Sequence, residues 1–171
     1  DPVTLNLDPA IETTVMAAHD ALISGADPAS IINDSSIILR LRYARFSMLF
    51  EGDAQSAAEH EAFAMLGGRL RSTVLKIGHH GSCNASASSY LSAVAPQFVT
   101  MSMAAGNSYG HPHLQTLDRL RAHGLPWGRT DANGTITLES DGVAFSVALD
   151  RGAESSALPM TRACASPPPD F

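Results

Sequence analysis

Two short segments of this 171-residue chain carry side chains that could do chemistry together. Phe50-Glu51-Gly52-Asp53-Ala54 and Lys76-Ile77-Gly78-His79-His80-Gly81-Ser82 each follow an apolar run and end in metal-ligating side chains, with Asp53 and His79 26 positions apart. A carboxylate is a hard oxygen donor that can bridge two cations, and imidazole is a borderline nitrogen donor that fixes one. Delivered from neighbouring strand ends, the two types begin a hydrolytic metal centre, where a bound cation brings the pKa of water toward neutrality. His111, in Asn107-Ser108-Tyr109-Gly110-His111-Pro112, could contact a substrate phosphate or act as general acid toward a leaving oxygen, which requires reach and a pKa near neutrality.

Each segment also has a plainer reading. Gly-Asp after a strand is an ordinary turn, and a His-His-Gly-Ser loop suits the start of a helix. Asn107, Tyr109 and His111 equally suit a loop fixed by its own hydrogen bonds. His113 reads as a surface or capping residue, and His19, His60 and His123 fall in helical or helix-end segments and read as solvated.

The elements that must position these residues follow from periodicity. Apolar positions Ile11, Val15, Ala18, Leu22 and Ile23 predict a helix over 9–25, so residues 1–30 read as a helical lead-in, followed by a loop at Asn33-Asp34-Ser35. Residues 37–41 and 46–50 predict two adjacent antiparallel strands, with Arg40, Arg42 and Arg45 on a solvated face. A helix over 54–66 stops at Gly67-Gly68, a buried strand follows at 74–77, and helices at 88–94 and 114–123 flank a strand at 98–103. Strands at 126–130, 135–139 and 143–149 close the pattern, with Asn133-Gly134 and Asp141-Gly142 as tight turns and Arg129, Asp131 and Asn133 as an architectural cluster. This is a mixed α/β chain whose loops gather at one sheet edge, where ligands bind in open α/β sheets. Residues 151–171, rich in Ala, Ser and Pro, read as a disordered tail.

Composition narrows the classes. At 44% hydrophobic and 16% charged the chain suits one globular domain, and no apolar run approaches the roughly 20 residues of a membrane-spanning helix. A net charge of −6, with Lys76 the sole lysine, argues against a broad electrostatic footprint for nucleic acid, although bound cations would reverse that locally. Cys83 and Cys164 lack CxxC spacing, so neither a disulfide framework nor a thiolate zinc site is indicated, which leaves room for a single surface disulfide. Directly after the His-His-Gly-Ser loop, Cys83 reads as a passive substitution, an oxidation sensor or a metal contact. The start at Asp1-Pro2-Val3-Thr4 reads as processed or truncated.

Five motifs occur in a family's order: residues 33–41, the Gly52-Asp53 turn, Gly78-His79-His80-Gly81-Ser82, the 107–112 loop, and Arg129-Thr130-Asp131-Ala132-Asn133-Gly134-Thr135. Over about residues 31–150 the chain resembles the C-terminal half of a metallo-β-lactamase-fold hydrolase of the ComEC-type competence DNA-uptake branch and its free-standing relatives. The resemblance implies half of an αββα sandwich, a mixed sheet with flanking helices. It also implies one or two divalent ions, zinc or manganese, whose bound hydroxide attacks a phosphodiester such as single- or double-stranded DNA. Asp53 matches the bridging aspartate and His79 the later metal-binding histidine, with His80 the alternative. Asp53 and His111 take the catalytic roles, and Ser82, Asn107, Tyr109 and His111 contact substrate. The family's first ligand cluster, a His-rich loop, is expected upstream in the same gene product or in a partner chain. Without it, the chain would be a non-catalytic remnant or binding module. An extracytoplasmic or membrane-associated setting is implied by the resemblance alone.

Overall fold

Strand β4 (Phe46–Phe50) sets the plan of the molecule, because pairing changes sense across it. Its residues alternate, with Ser47 and Leu49 buried and Phe46, Met48 and Phe50 half-buried, the period of a strand with two differently covered faces. On one side it runs antiparallel to β3 (Ile38–Tyr43) with Met48 opposite Leu41, and on the other parallel to β5 (Val74–Lys76) with Met48 beside Val74. The computed structural model describes residues 2–18, 28–152 and 164.

The main sheet has seven strands in sequence order: β1 (Val3–Leu5), β2 (Glu12–Ala17), β3, β4, β5, β6 (Phe98–Met101) and β7 (Trp127–Arg129). The pairs from β1 to β4 are antiparallel and those from β4 to β7 parallel. Parallel neighbours need crossovers, and α2 (Ser56–Leu66), α3 (Ser88–Val94) and α4 (Leu114–Ala122) lie in those connections. The core forms where Ile38, Leu49, Leu75 and Val99 meet Ala58, Ala62 and Leu66 of α2, Tyr90, Leu91 and Val94 of α3, and Leu117 and Leu120 of α4. Ala58 and Ala62, both fully buried, let α2 sit close to the sheet.

A two-stranded hairpin, β8 (Ile136–Ser140) and β9 (Phe145–Leu149), packs over part of the opposite sheet face. Phe145 lies 5.9 Å from Phe46, ring centroid to centroid. At Gly128 of β7, a Cβ would meet Ile136 and Leu149 side chains at 3.1 and 3.2 Å, so the absent side chain makes room for the hairpin. Between hairpin and sheet an open cleft of about 820 Å³ is lined by Met48, Lys76, Thr100, Ser102, Ile136 and Leu138 among others.

Most expected elements from residue 37 onward are present within a residue or two, and the mixed α/β class holds. The lead-in is a correction. Instead of a helix over 9–25, Glu12–Ala17 is a strand paired to both β1 and β3. Thr13, Thr14 and Val15 are β-branched and stiff at χ1, and the pairing they gain outweighs the partial 3.6-residue spacing; residues 19–27 lie outside the described residues. Asn33-Asp34 closes a helix, α1 (Pro28–Asp34), rather than forming a loop. Asn133-Gly134 ends a single helical turn, α5 (Thr130–Asn133), whereas Asp141-Gly142 does turn the β8–β9 hairpin. Arg40 and Arg42 are not simply solvated: both approach Glu12 of β2, at 3.8 and 3.7 Å, and Arg40 Nη1 donates to the Arg69 carbonyl.

The tail falls outside the described residues except for Arg151, Gly152 and Cys164. Cys164 forms a disulfide with Cys83, which is 2% exposed, so the bond is an interior tie rather than a surface one. That pairing removes a free thiol from Cys83 as sensor or metal contact. The Gln115 amide also bonds both the N–H and the carbonyl of Cys164.

Candidate functional site

Because β4, β5 and β6 are parallel, the segments that follow them emerge at the same sheet edge. Those segments are the Glu51–Ala54 turn, the Gly78–Gly81 3-10 turn and the 102–113 loop, and they bring Asp53, His79, His80 and His111 together.

The first turn is held from below by α1. Asp34 Oδ1 accepts the Gln55 N–H at 2.8 Å, and Ser36 Oγ accepts the Asp53 N–H at 3.0 Å. Residues 33–36 thus act as the clamp that presents Asp53.

The second turn is unusual in its backbone. His79 and His80 are both left-handed, at φ 41° and 54°, a region that costs a non-glycine residue energy unless the surroundings hold it. Here they do. Gly78 N–H donates to Glu51 Oε2 at 2.6 Å, His79 N–H to the Gly52 carbonyl at 3.1 Å, and Ser82 N–H back to the His79 carbonyl at 2.8 Å. A Cβ at Gly81 would lie 2.8 Å from Pro112 Cβ, and His113 N–H donates to the Gly81 carbonyl at 3.0 Å, so the third segment is packed onto the second.

His80 Nδ1 lies 2.6 Å from the Ser102 carbonyl, and its Nε2 lies 3.3 Å from Asp53 Oδ1. A carbonyl only accepts, so Nδ1 carries the proton. Nε2 then faces the carboxylate as an imidazolium N–H or as a lone pair that needs a cation to share. A backbone carbonyl on the far nitrogen is the usual support of a metal-ligating histidine. Donor separation fits too, since two ligands about 2.1 Å from a tetrahedral zinc stand roughly 3.4 Å apart. His79 Nδ1 is buried without a hydrogen-bond partner among the described residues. Burial holds the His79 pKa below its ordinary value, against the opposing pull of the Asp53 charge. Asp53 and His80 therefore suit a divalent ion, with His79 adjacent. Among the described residues, no three His, Cys, Asp or Glu side chains close on one point.

The third segment corrects some expectations and sharpens others. Asn107 is spent on the loop: Oδ1 accepts the His111 N–H at 3.0 Å, while Nδ2 donates to the carbonyls of His111 at 2.7 Å and Ala104 at 3.1 Å. It shapes the loop that carries His111. His111 sits 5.2 Å from His79 and 4.9 Å from His113, ring to ring. Burial first, then the neighbouring imidazoles, push its pKa down to about 4. A depressed pKa favours the neutral imidazole, which keeps one N–H donor and one lone pair. Tyr109 stacks on His111 with ring centroids 5.7 Å apart and is 75% exposed, open to a ligand. Ser82 is buried, and its Oγ donates to Asn84 Oδ1 at 2.5 Å. His113, read as a surface or capping residue, is half-buried at the N-cap of α4, and its Nδ1 accepts the Cys83 N–H at 3.0 Å.

Two residues that the sequence did not single out border the site. Glu51 is fully buried, and desolvation raises its pKa to about 7 against the opposing pull of Tyr90, Gly78 N–H and Lys76. Lys76 donates to the Ile77 carbonyl at 2.9 Å, and burial lowers its pKa against the pull of Glu51 and Asp53. A charged residue at the end of each apolar strand run was the available signal for both. The architectural cluster at the end of β7 is as expected: Arg129 Nε and Nη2 grip the Asp131 carboxylate at 2.8 and 2.5 Å, and Asn133 Oδ1 accepts the Arg129 N–H. Thr130 Oγ1 bonds both backbone groups of Met103, tying this turn to the 102–113 loop.

No protein-family model matches the chain. Among characterised proteins it is similar to Competence protein ComA of Neisseria gonorrhoeae, 36% identical over 104 residues, which is 61% of this chain and 15% of that protein. It is similar to ComE operon protein 3 of Bacillus subtilis, 34% identical over 110 residues, 64% of this chain and 14% of that protein. Recombination protein 2 of Haemophilus influenzae is 29% identical over 104 residues, 61% of this chain and 13% of that protein. The chain thus spans about one seventh of the length of these relatives, the first of which is named a competence protein. No described helix is long and apolar enough to cross a membrane.

Proposed function

We propose that this chain carries the second half of a metal-dependent phosphodiester hydrolase that acts on DNA during competence-type uptake. The observation that carries the reading is the Asp53–His80 pair, with His80 Nδ1 committed to the Ser102 carbonyl so that Nε2 and the Asp53 carboxylate face one another at 3.3 Å. Similarity to competence proteins supplies the setting, and a metallo-β-lactamase half-sandwich would account for the seven-stranded sheet, the flanking helices and the hairpin over its other face.

Asp53 and His80 would hold the ion, zinc or manganese, with His79 as a further ligand, and the remaining donors would come from a segment preceding the clamp or from a partner chain. When bound, such an ion supplies an activated water and Lewis-acid stabilisation of the attacked phosphoryl group. This chain's own residues do the rest. Asp53 and His80 fix the ion's place, Asn107 holds the 107–111 loop against them, neutral His111 accepts a hydrogen bond at the rim, and exposed Tyr109 offers a face on which a base can stack. The half-buried Lys76 adds positive charge beside Asp53, in a chain whose overall charge is −6.

The test is hydrolysis of a labelled oligonucleotide with added manganese or zinc, by the chain together with the segment that supplies the upstream ligands. Loss of cleavage on Asp53→Ala supports the hydrolase. Oligonucleotide binding without cleavage, unaffected by Asp53→Ala, favours a binding module instead.

A further inference from the structure

Glu51 is an unusual residue to find where it is. It is fully buried at the end of β4, and a buried carboxylate is costly unless its oxygens are satisfied. One oxygen is: Oε2 accepts the Gly78 N–H at 2.6 Å, a short charge-assisted bond. The other, Oε1, faces the buried Tyr90 hydroxyl. The acceptor therefore does a specific task at a real cost.

That task follows from what Gly78 precedes. The next two residues are the left-handed pair His79 and His80, whose backbone needs external support. Two adjacent N–H groups of this turn, from Gly78 and His79, are gripped by the carboxylate of Glu51 and the carbonyl of Gly52, and the residue after these is Asp53. Space enforces the same contact, because a Cβ at Gly78 would lie 2.5 Å from the Ala54 carbonyl oxygen and 3.1 Å from Glu51 Oε2. The turn that carries Asp53 and the turn that carries His80 are thereby joined by one side chain and one backbone carbonyl.

We infer that Glu51 is a positioning residue: it sets the separation of Asp53 and His80 by anchoring the Gly78 amide, and it does so without touching metal or substrate. The inference deepens the metal-site reading and rests on it for its consequence, but the anchor itself is a property of the metal-free chain.

The experiment compares Glu51→Ala, Glu51→Gln and Gly78→Ala in the 171-residue chain by two readouts. The first is the amide proton shift and exchange protection of Gly78 and His79 in 15N-labelled protein. The second is zinc or manganese affinity by titration, with the segment that supplies the upstream ligands present. Gln keeps the acceptor at Oε2, and its amide can donate to the Tyr90 hydroxyl, so Glu51→Gln is expected to keep both amides protected and metal affinity within about threefold of the parent chain. Glu51→Ala and Gly78→Ala are expected to expose both amides and to weaken metal binding about 10- to 100-fold, the usual cost of losing an outer-shell support. If Glu51→Ala is unfolded, the folded Gly78→Ala variant decides the same point. The inference is overturned if the two amides stay protected in the folded Ala variants, or if Gln loses them as Ala does. Protected amides in a parent chain that takes up no metal even with the upstream segment supplied overturn the metal-site reading alone and leave the anchor standing.

Discussion

Asp53 Oδ1 and His80 Nε2 stand 3.3 Å apart although they follow two different strands and lie 27 positions apart in the chain. Their approach depends on parallel pairing of β4 with β5, on the clamp from Asp34 and Ser36, and on the left-handed turn that swings His80 back over the sheet edge.

If this pair holds the ion, its members act together. Asp53→Ala and His80→Ala are each expected to lower metal-dependent hydrolysis by about a hundredfold or more, while His113→Ala changes it by less than about threefold. His113→Ala should cost about 1 kcal/mol of stability through the Cys83 N–H it leaves unpaired. Initial rates and urea melts on the three variants check this, and equal loss of rate from all three would remove the distinction in roles.

The buried Glu51 carboxyl predicts a pH dependence with a definite sign. Its folded pKa of about 7 lies above the ordinary carboxylate value of 4.5, so between those values the folded chain holds more protons than the unfolded one, and stability contributed by this group falls as pH rises. His111, pushed down to about 4, works the other way, and its contribution rises with pH up to the ordinary histidine range. Glu59, also fully buried and raised by desolvation and by the Glu51 charge, adds to the first effect, so the bare melting curve mixes all three. Glu51→Gln isolates the carboxyl: its melting temperature relative to the parent is expected to increase from pH 5 to pH 8. A difference independent of pH would place the ionisation elsewhere.

Arg129 and Asp131 are 1% and 3% exposed and share two hydrogen bonds. Removing one member of such a buried pair strands the other charge, so Asp131→Ala is expected to cost about 3–5 kcal/mol in urea unfolding. A loss under about 1 kcal/mol would mean that water reaches Arg129.

The Cys83–Cys164 disulfide closes an 81-residue separation and should contribute about 2–4 kcal/mol by restricting the unfolded chain. Reduction is expected to lower the melting temperature, and Cys164→Ser to lower it equally. Insensitivity to reductant would show that the bond carries none of the stability.

Much of the fold was legible because its strands and helices are separated by strong punctuation. Gly67, Pro96 and Gly124 stop elements near where the periodicity ends, and Ser88–Val94 matches the expectation residue for residue. The lead-in failed because Ile11, Val15 and Ala18 satisfy a helical spacing while Thr13, Thr14 and Val15 pair with β3 from a distance that no local pattern records. In the site, Asp53, His79, His80 and His111 were legible as chemistry-bearing types beyond apolar runs. The burial of Ser82 is invisible in a polar tripeptide, and Glu51 was passed over because a glutamate before Gly-Asp looks like turn polarity until its carboxylate is seen to meet Gly78.

The most direct test of the metal site is elemental mass spectrometry on the purified chain together with the segment that supplies the upstream ligands, after equilibration with zinc or manganese and removal of free ion, with Asp53→Ala and His80→Ala alongside. Near-stoichiometric metal in the parent and loss of it in both variants is the predicted result. No metal in the parent, or equal metal in all three, would contradict the assignment of Asp53 and His80 as ligands.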